Sequence, residues 1–218
     1  MDHQSLNHRS LEIELTTKCT LFCPGCPRTY RKKLGHHTPW NSGHVDKQVI
    51  LNTLDDPYFH SVRFVGSYGD AIYHPSFIEV MDKACNVDKR ILLHTNGTYR
   101  KKEFWQELSE LPWDRIPRKR IFNFSVDGLS DTNHIYRKGA DWDWIMTAVD
   151  ILASAKQRPK LVWQFLVFPY NKHQVEEAKS MYKSLGFDSF EYSKSLRKYH
   201  ADWFESENER RQIDYNYA

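Results

Sequence analysis

Cys19, Cys23 and Cys26 place three of the chain's four thiols within eight residues, in the spacing C-x₃-C-x₂-C. They follow Leu11-Glu12-Ile13-Glu14-Leu15, whose alternation of apolar and acidic residues reads as a strand. Pro24, Gly25 and Pro27 disfavour helix, so the thiols are expected on a loop leaving that strand's C-terminal end. Thiolates clustered this tightly are soft ligands for zinc, copper(I) or an iron–sulfur cluster. Structural zinc normally takes four protein ligands, and no fourth cysteine is near, although His36 or His37 could complete a zinc knuckle. Three thiolates also suit a cubane [4Fe–4S] cluster with one iron left open to a small molecule, and an open iron implies chemistry.

Three further segments carry residues able to hold a ligand. Gly66-Ser67-Tyr68-Gly69-Asp70-Ala71 combines glycines, which let backbone approach a bound molecule, with a carboxylate that can pair with an ammonium. Taken alone it is also an ordinary Gly/Asp turn. Thr95-Asn96-Gly97 is a strong turn sequence in its own right. Phe124-Ser125-Val126-Asp127-Gly128, with Tyr136-Arg137 downstream, offers a hydroxyl and a guanidinium. Against that stands the plainer reading of a strand serine and a solvated arginine.

With Phe22 just before the second cysteine and Cys26-Pro27-Arg28 trailing it, the cysteine loop resembles the radical S-adenosylmethionine (SAM) superfamily, and most of all its peptide-modifying SPASM branch. The resemblance implies that Cys19, Cys23 and Cys26 hold a [4Fe–4S] cluster whose open iron is chelated by SAM. It implies that the segment through Gly69 and Asp70 binds the methionine amino group, with Asp70 where much of the superfamily has Glu. Asn96 is expected to orient the cofactor without taking part in chemistry, and Ser125 and Arg137 to bind the SAM carboxylate or ribose. No adenine motif is recognisable, and Phe22 and Phe168 are the candidates for that platform. The implied activity is reductive cleavage of SAM to a 5′-deoxyadenosyl radical that abstracts hydrogen from a substrate, a peptide or protein being the first choice. A flavodoxin or ferredoxin is the expected electron donor, and the basic run Arg115-Ile116-Pro117-Arg118-Lys119-Arg120 could dock it, if it is not simply a solvated connection. No cysteine follows Cys85, so the resemblance covers about residues 10–193 and omits the auxiliary-cluster extension of full SPASM enzymes.

The elements that must position these residues follow one rhythm. Strands are expected at about Leu11–Thr16, Ser61–Val65, Arg90–His94, Ile121–Val126, Leu161–Phe168 and Ser189–Tyr192. Helices are expected at about Val45–Leu54, after Pro75, at Lys101–Leu111, Asp141–Ala155 and Gln174–Leu185, the last ending at Gly186. Val45, Val49, Ile50 and Leu54 form the inward face expected of the first. Strand–helix alternation argues for βαβ units and a parallel α/β sheet. With a helix in the tail the count reaches a partial (β/α)₆ barrel of the radical SAM type. Residues 1–10 read as a flexible N-terminus, 11–194 as the barrel and 195–218 as a polar tail with a possible helix. In such sheets ligands gather at the strands' C-terminal ends, where the main candidate motifs fall.

The bulk properties exclude other classes. Apolar residues make up 40% and charged residues 27% of 218, ordinary for one globular domain, and a net charge of +3 does not call for nucleic acid. Clustered thiols do not form a disulfide framework, no apolar run reaches membrane-spanning length, and a cytoplasmic setting is expected. Cys85 is read as a buried helix thiol. His74 and His94 lie near strand ends where a substrate could sit. Rival functions are a small-molecule radical enzyme such as those forming deazaguanine in the queuosine pathway, an activase that installs a glycyl radical, and a non-catalytic zinc-binding scaffold.

Overall fold

The computed structural model describes residues 9–29, 43–99, 101–115 and 119–194. Six strands, β1 (Ser10–Ile13), β2 (Ser61–Phe64), β3 (Arg90–Thr95), β4 (Arg120–Ser125), β5 (Lys160–Val167) and β6 (Ser189–Lys194), form one sheet in sequential order. Every neighbouring pair is parallel. Strict sequence order with parallel pairing is what repeated βα units produce, and it is the strand order of an open barrel.

The helices are α1 (Lys47–Asp55), α2 (Phe77–Cys85), α3 (Lys102–Ser109), the short α4 (Asn133–Tyr136), α5 (Trp142–Ser154) and α6 (Val175–Met181). Asp46 caps α1 by accepting from the Gln48 and Val49 amides, so the helix begins two residues later than its sequence suggests. The buried face is Ile50 and Leu54, and Val49, expected inside, is 56% exposed. After α6 the chain closes as a Schellman turn: Phe187 N donates to Tyr182 O, Gly186 N to Lys183 O, and Gly186 has φ 96°. The proposed tail helix lies outside the described residues, as do residues 1–8 and most of the basic loop, 30–42.

The two faces of the sheet differ in chemistry. Val62, Phe64, Ile91, Leu93, Phe122, Phe124, Leu161, Trp163, Phe165 and Val167 pack with the helices in one core. Each large side chain buried there contributes about 1.5–3 kcal/mol. The alternate positions carry Glu12, Arg63, His94, Ser125 and Gln164, all lining a cavity. Parallel strands usually read as continuous apolar runs because both faces are covered. Here the alternation marks an inner wall that is polar because it faces a cavity.

Candidate active site

The cysteine loop is fixed from both ends. Thr16 pairs antiparallel with His44, and its Oγ1 accepts from Lys18 N at 3.0 Å. Cys26 N donates to Cys23 O at 3.0 Å, closing the turn through Pro24 and Gly25. Arg28 reaches back to donate to Cys19 O at 3.0 Å and to Leu21 O, while Phe22 N donates to Lys138 O at 2.9 Å. The loop therefore holds its shape through its own backbone and through the segment after β4.

The glycine segment is stitched onto that loop. A Cβ at Gly69 would lie 1.9 Å from Thr16 O and 2.9 Å from Lys18 O, a clash with backbone that only glycine avoids. Asp70 N donates to Lys18 O at 2.9 Å. Glu14 accepts from Gly69 N at 2.8 Å and from Tyr68 N, so its carboxylate holds the segment from below. Glu14 escaped the sequence reading because its alternation in the first strand already accounted for it.

Asp70 points into the protein. Its Oδ2 accepts from Thr95 Oγ1 at 3.0 Å and Asn96 N at 2.6 Å, and its Oδ1 accepts from Ile72 N at 3.3 Å. Burial pushes its pKa up to about 6, against the pull of those donors and of the Arg137 charge. A carboxylate has about four acceptor positions, so about one remains toward the cavity, which Asp70 lines. Asn96, held by Asp70, directs Nδ2 to Cys19 Sγ at 3.3 Å, and its Oδ1 accepts from Thr98 N at 2.9 Å.

On the far side Asp127 is fully buried, accepting from Leu166 N at 2.7 Å and Arg137 Nε at 2.6 Å. Burial opposes the Arg137 cation, but the charges of Asp127 and Cys23 hold its pKa above the usual guanidinium value. Arg137 in turn lies against Cys23, partly offsetting the rise that burial imposes on that thiol. In the sequence Asp127 is only part of a motif, and its role as the Arg137 anchor depends on contacts across the fold.

A cavity of about 570 Å³ brings these groups together: Cys19, Cys23, Cys26, Gly69, Asp70, Asn96, Ser125 and Arg137 all line it. Phe22 does not. Its ring is 56% exposed with the Arg28 guanidinium 5.9 Å from its centroid, and Leu21 faces the cavity instead. Phe168 is fully buried against Tyr136 and Tyr170, away from the cavity. Of the two aromatic candidates for the adenine platform, Phe168 is thus a packing residue, while Phe22 stays at the surface on a loop tied by its backbone to Lys138. His74 is also internal, with Nε2 2.9 Å from Val45 O and Nδ1 accepting from Ser76 N. His94 lines the cavity, with Nε2 3.3 Å from Asn123 Nδ2, and burial holds its pKa below the usual value. Arg120, expected in a solvated basic run, is buried and donates to Val87 O and Lys89 O; residues 116–118 lie outside the described residues.

All four cysteines are free thiols. Burial, reinforced by the Asp70 charge, pushes Cys19 up to about 11. Buried thiols of this kind ionise when a metal supplies the compensating charge. Among the described residues no three His, Cys, Asp or Glu side chains are arranged around a single metal ion. Three soft donors lining one cavity fit a cluster in which each thiolate takes its own iron. Cys85 lies in the core on α2, far from this chemistry in kind, its thiol pushed up to about 12 by burial.

Comparison with known proteins agrees with this geometry. The chain is 24% identical over 182 residues to the antilisterial bacteriocin subtilosin biosynthesis protein AlbA of Bacillus subtilis, covering 83% of this chain and 38% of AlbA. Its fold is similar to that of Streptococcus suis SuiB bound to S-adenosylmethionine (TM-score 0.64, 16% identity, 86% of this chain and 41% of SuiB). SuiB bound to its precursor peptide SuiA gives a TM-score of 0.62 at 16% identity, over 84% of this chain and 38% of SuiB. The chain spans less than half the length of these relatives. The profile of the Radical SAM superfamily matches residues 13–181, from the end of β1 through α6, and this chain belongs to that superfamily.

Proposed function

We propose that this chain is a radical SAM enzyme that modifies a peptide. The superfamily works with a [4Fe–4S] cluster and SAM. When bound, they supply reductive cleavage of the sulfonium C–S bond, giving a 5′-deoxyadenosyl radical able to take hydrogen from a substrate. The observation that carries the reading is the single cavity lined by the three thiols together with Gly69, Asp70, Asn96, Ser125 and Arg137, delivered by the ends of β1 to β4.

Within that cavity the three cysteines are the cluster ligands. The glycine segment and the remaining acceptor position of Asp70 suit an ammonium, and Ser125 with the anchored Arg137 suits a carboxylate or ribose hydroxyls. Glu12 and Arg63, an ion pair at 2.5 Å, together with His94 and Gln164 on the inner wall, are left to face the substrate. A peptide is favoured because AlbA serves bacteriocin biosynthesis and SuiB binds a precursor peptide. A flavodoxin- or ferredoxin-type protein in the cytoplasm is the proposed electron donor. Among the described residues no helix is long and apolar enough to cross a membrane.

The deciding experiment is anaerobic reconstitution with iron and sulfide, followed by SAM and dithionite, with 5′-deoxyadenosine measured by chromatography. Its formation, accelerated by the right precursor peptide, is the expected result. Zinc bound without sulfide, and no cluster after reconstitution, would overturn the reading.

A further inference from the structure

Asn96 and Gln164 are the carboxamides among the described residues that line the cavity, and Asn96, whose Nδ2 lies 3.3 Å from Cys19 Sγ, is tightly constrained. Its backbone N–H is fixed on Asp70 Oδ2 at 2.6 Å, and its Oδ1 is occupied by Thr98 N at 2.9 Å. Asp70 is itself held by Thr95 Oγ1 and Ile72 N. With the acceptor end engaged, the amide cannot flip without giving up the Thr98 contact, so its NH₂ group must face Cys19 Sγ, 3.3 Å away. The residue is 6% exposed, and water cannot readily replace that donor.

A second donor reaches the same sulfur, Leu21 N at 3.4 Å, supplied by the cysteine loop itself. The two differ in origin. The Leu21 amide accompanies any loop of this shape, whereas the Asn96 contact crosses from the end of β3 and depends on Asp70. Cys23 has a comparable neighbour in Arg137, while Cys26 faces the backbone carbonyl of Ser67 at 3.7 Å, which can donate nothing to a thiolate. The three thiolates are therefore not equivalent.

We propose that Asn96 is a positioning residue for the Cys19 thiolate: its N–H···S hydrogen bond, set in place by Asp70, favours the reduced state of the cluster and raises its reduction potential. Donors to cluster sulfur withdraw negative charge, and the reduced cluster, one electron more negative, gains more from them than the oxidised one. Asp70 thereby acts at the cluster through Asn96, independently of any contact its free acceptor position makes with a ligand. The inference rests on the cluster reading given above.

The test compares wild type with Asn96→Asp and Asn96→Leu after anaerobic reconstitution. Asp keeps an acceptor for Thr98 N, replaces the donor by charge and is nearly the same size; Leu removes the donor without adding charge. Iron and sulfide are counted first, and midpoint potentials are then read by EPR-monitored titration without SAM. Midpoints shifted to more negative values, Asp furthest and Leu between it and wild type, are expected. An unchanged midpoint in variants with full clusters would overturn the assignment. A measurement on wild type alone decides the matter if the variants do not hold the cluster. With asparagine ¹⁵N-labelled in its side chain, the reduced cluster should show a ¹⁵N hyperfine coupling in pulsed EPR, and its absence sinks the proposal. Failure of wild type to assemble any cluster would instead sink the functional reading on which it rests.

Discussion

Arg137 and Asp127 meet at 2.6 Å behind the Cys23 thiol, with the carboxylate fully buried and the guanidinium side chain 17% exposed. The pair joins the turn after β4 to the residue following α4, and the second carboxylate oxygen takes the amide of Leu166 on β5. One ion pair thus locks three segments around the cavity and leaves the guanidinium beside Cys23.

Removing one partner of such a pair strands a buried charge. Asp127→Ala should lower the unfolding free energy by about 3–5 kcal/mol, read as a fall in the urea midpoint of the cluster-free protein. Arg137→Ala should do likewise and weaken SAM binding further than the lost stability explains. Calorimetric titration of SAM into the reconstituted variant checks the second point. SAM affinity equal to wild type would remove Arg137 from the binding set.

Gly69 sits where two loops touch through backbone alone. Gly69→Ala forces a Cβ to within 1.9 Å of Thr16 O, and neither segment can yield without parting the cysteine loop from the glycine segment. Iron incorporation after reconstitution should fall several-fold, with the far-UV circular dichroism retained because the helical core lies on the other face of the sheet. Normal iron content in this variant would show that the loops need not touch.

The cysteines divide by place. Cys23→Ala should abolish the cluster's visible absorption and 5′-deoxyadenosine formation together. Cys85→Ala, which trims a core side chain on α2, should keep both and cost about 1 kcal/mol of stability. Cleavage surviving in the first variant would refute its place as a ligand.

Asp70 gives a pH signature in the cluster-free protein. Folding raises its pKa from 3.8 to about 6, so its contribution to stability is fully present below pH 3.8 and is lost as the pH climbs through 6. The shift corresponds to roughly 3 kcal/mol. Carboxyl ¹³C NMR should place the Asp70 midpoint near 6. The unfolding free energy of wild type, relative to Asp70→Asn, should decline between pH 4 and 6. A midpoint near 4 would show that the three donors fully offset burial.

The sequence alone determined the rhythm of strands and helices, because each element's apolar period is local and needs no partner to be legible. It also located the chemistry: the cysteine spacing and the turns after Gly66, Thr95 and Ser125 fall at strand ends in any parallel βα arrangement. Local caps moved boundaries by a residue or two, as the Asp46 side chain did for α1. What only the tertiary structure decided is which polar groups meet across those ends. Glu14 beneath the glycine segment, Asp127 behind Arg137, and Asp70 spent largely on Thr95 and Asn96 are pairings between residues 10 to 55 positions apart. The same holds for the two aromatics: Phe22 lies at the surface and Phe168 in the interior. An aromatic beside a motif suits a ligand or a core equally well, and only the packing of distant segments chooses between them. Side-chain partners across a barrel follow from strand register and loop docking, and neither quantity is written in the spacing of residues along one strand.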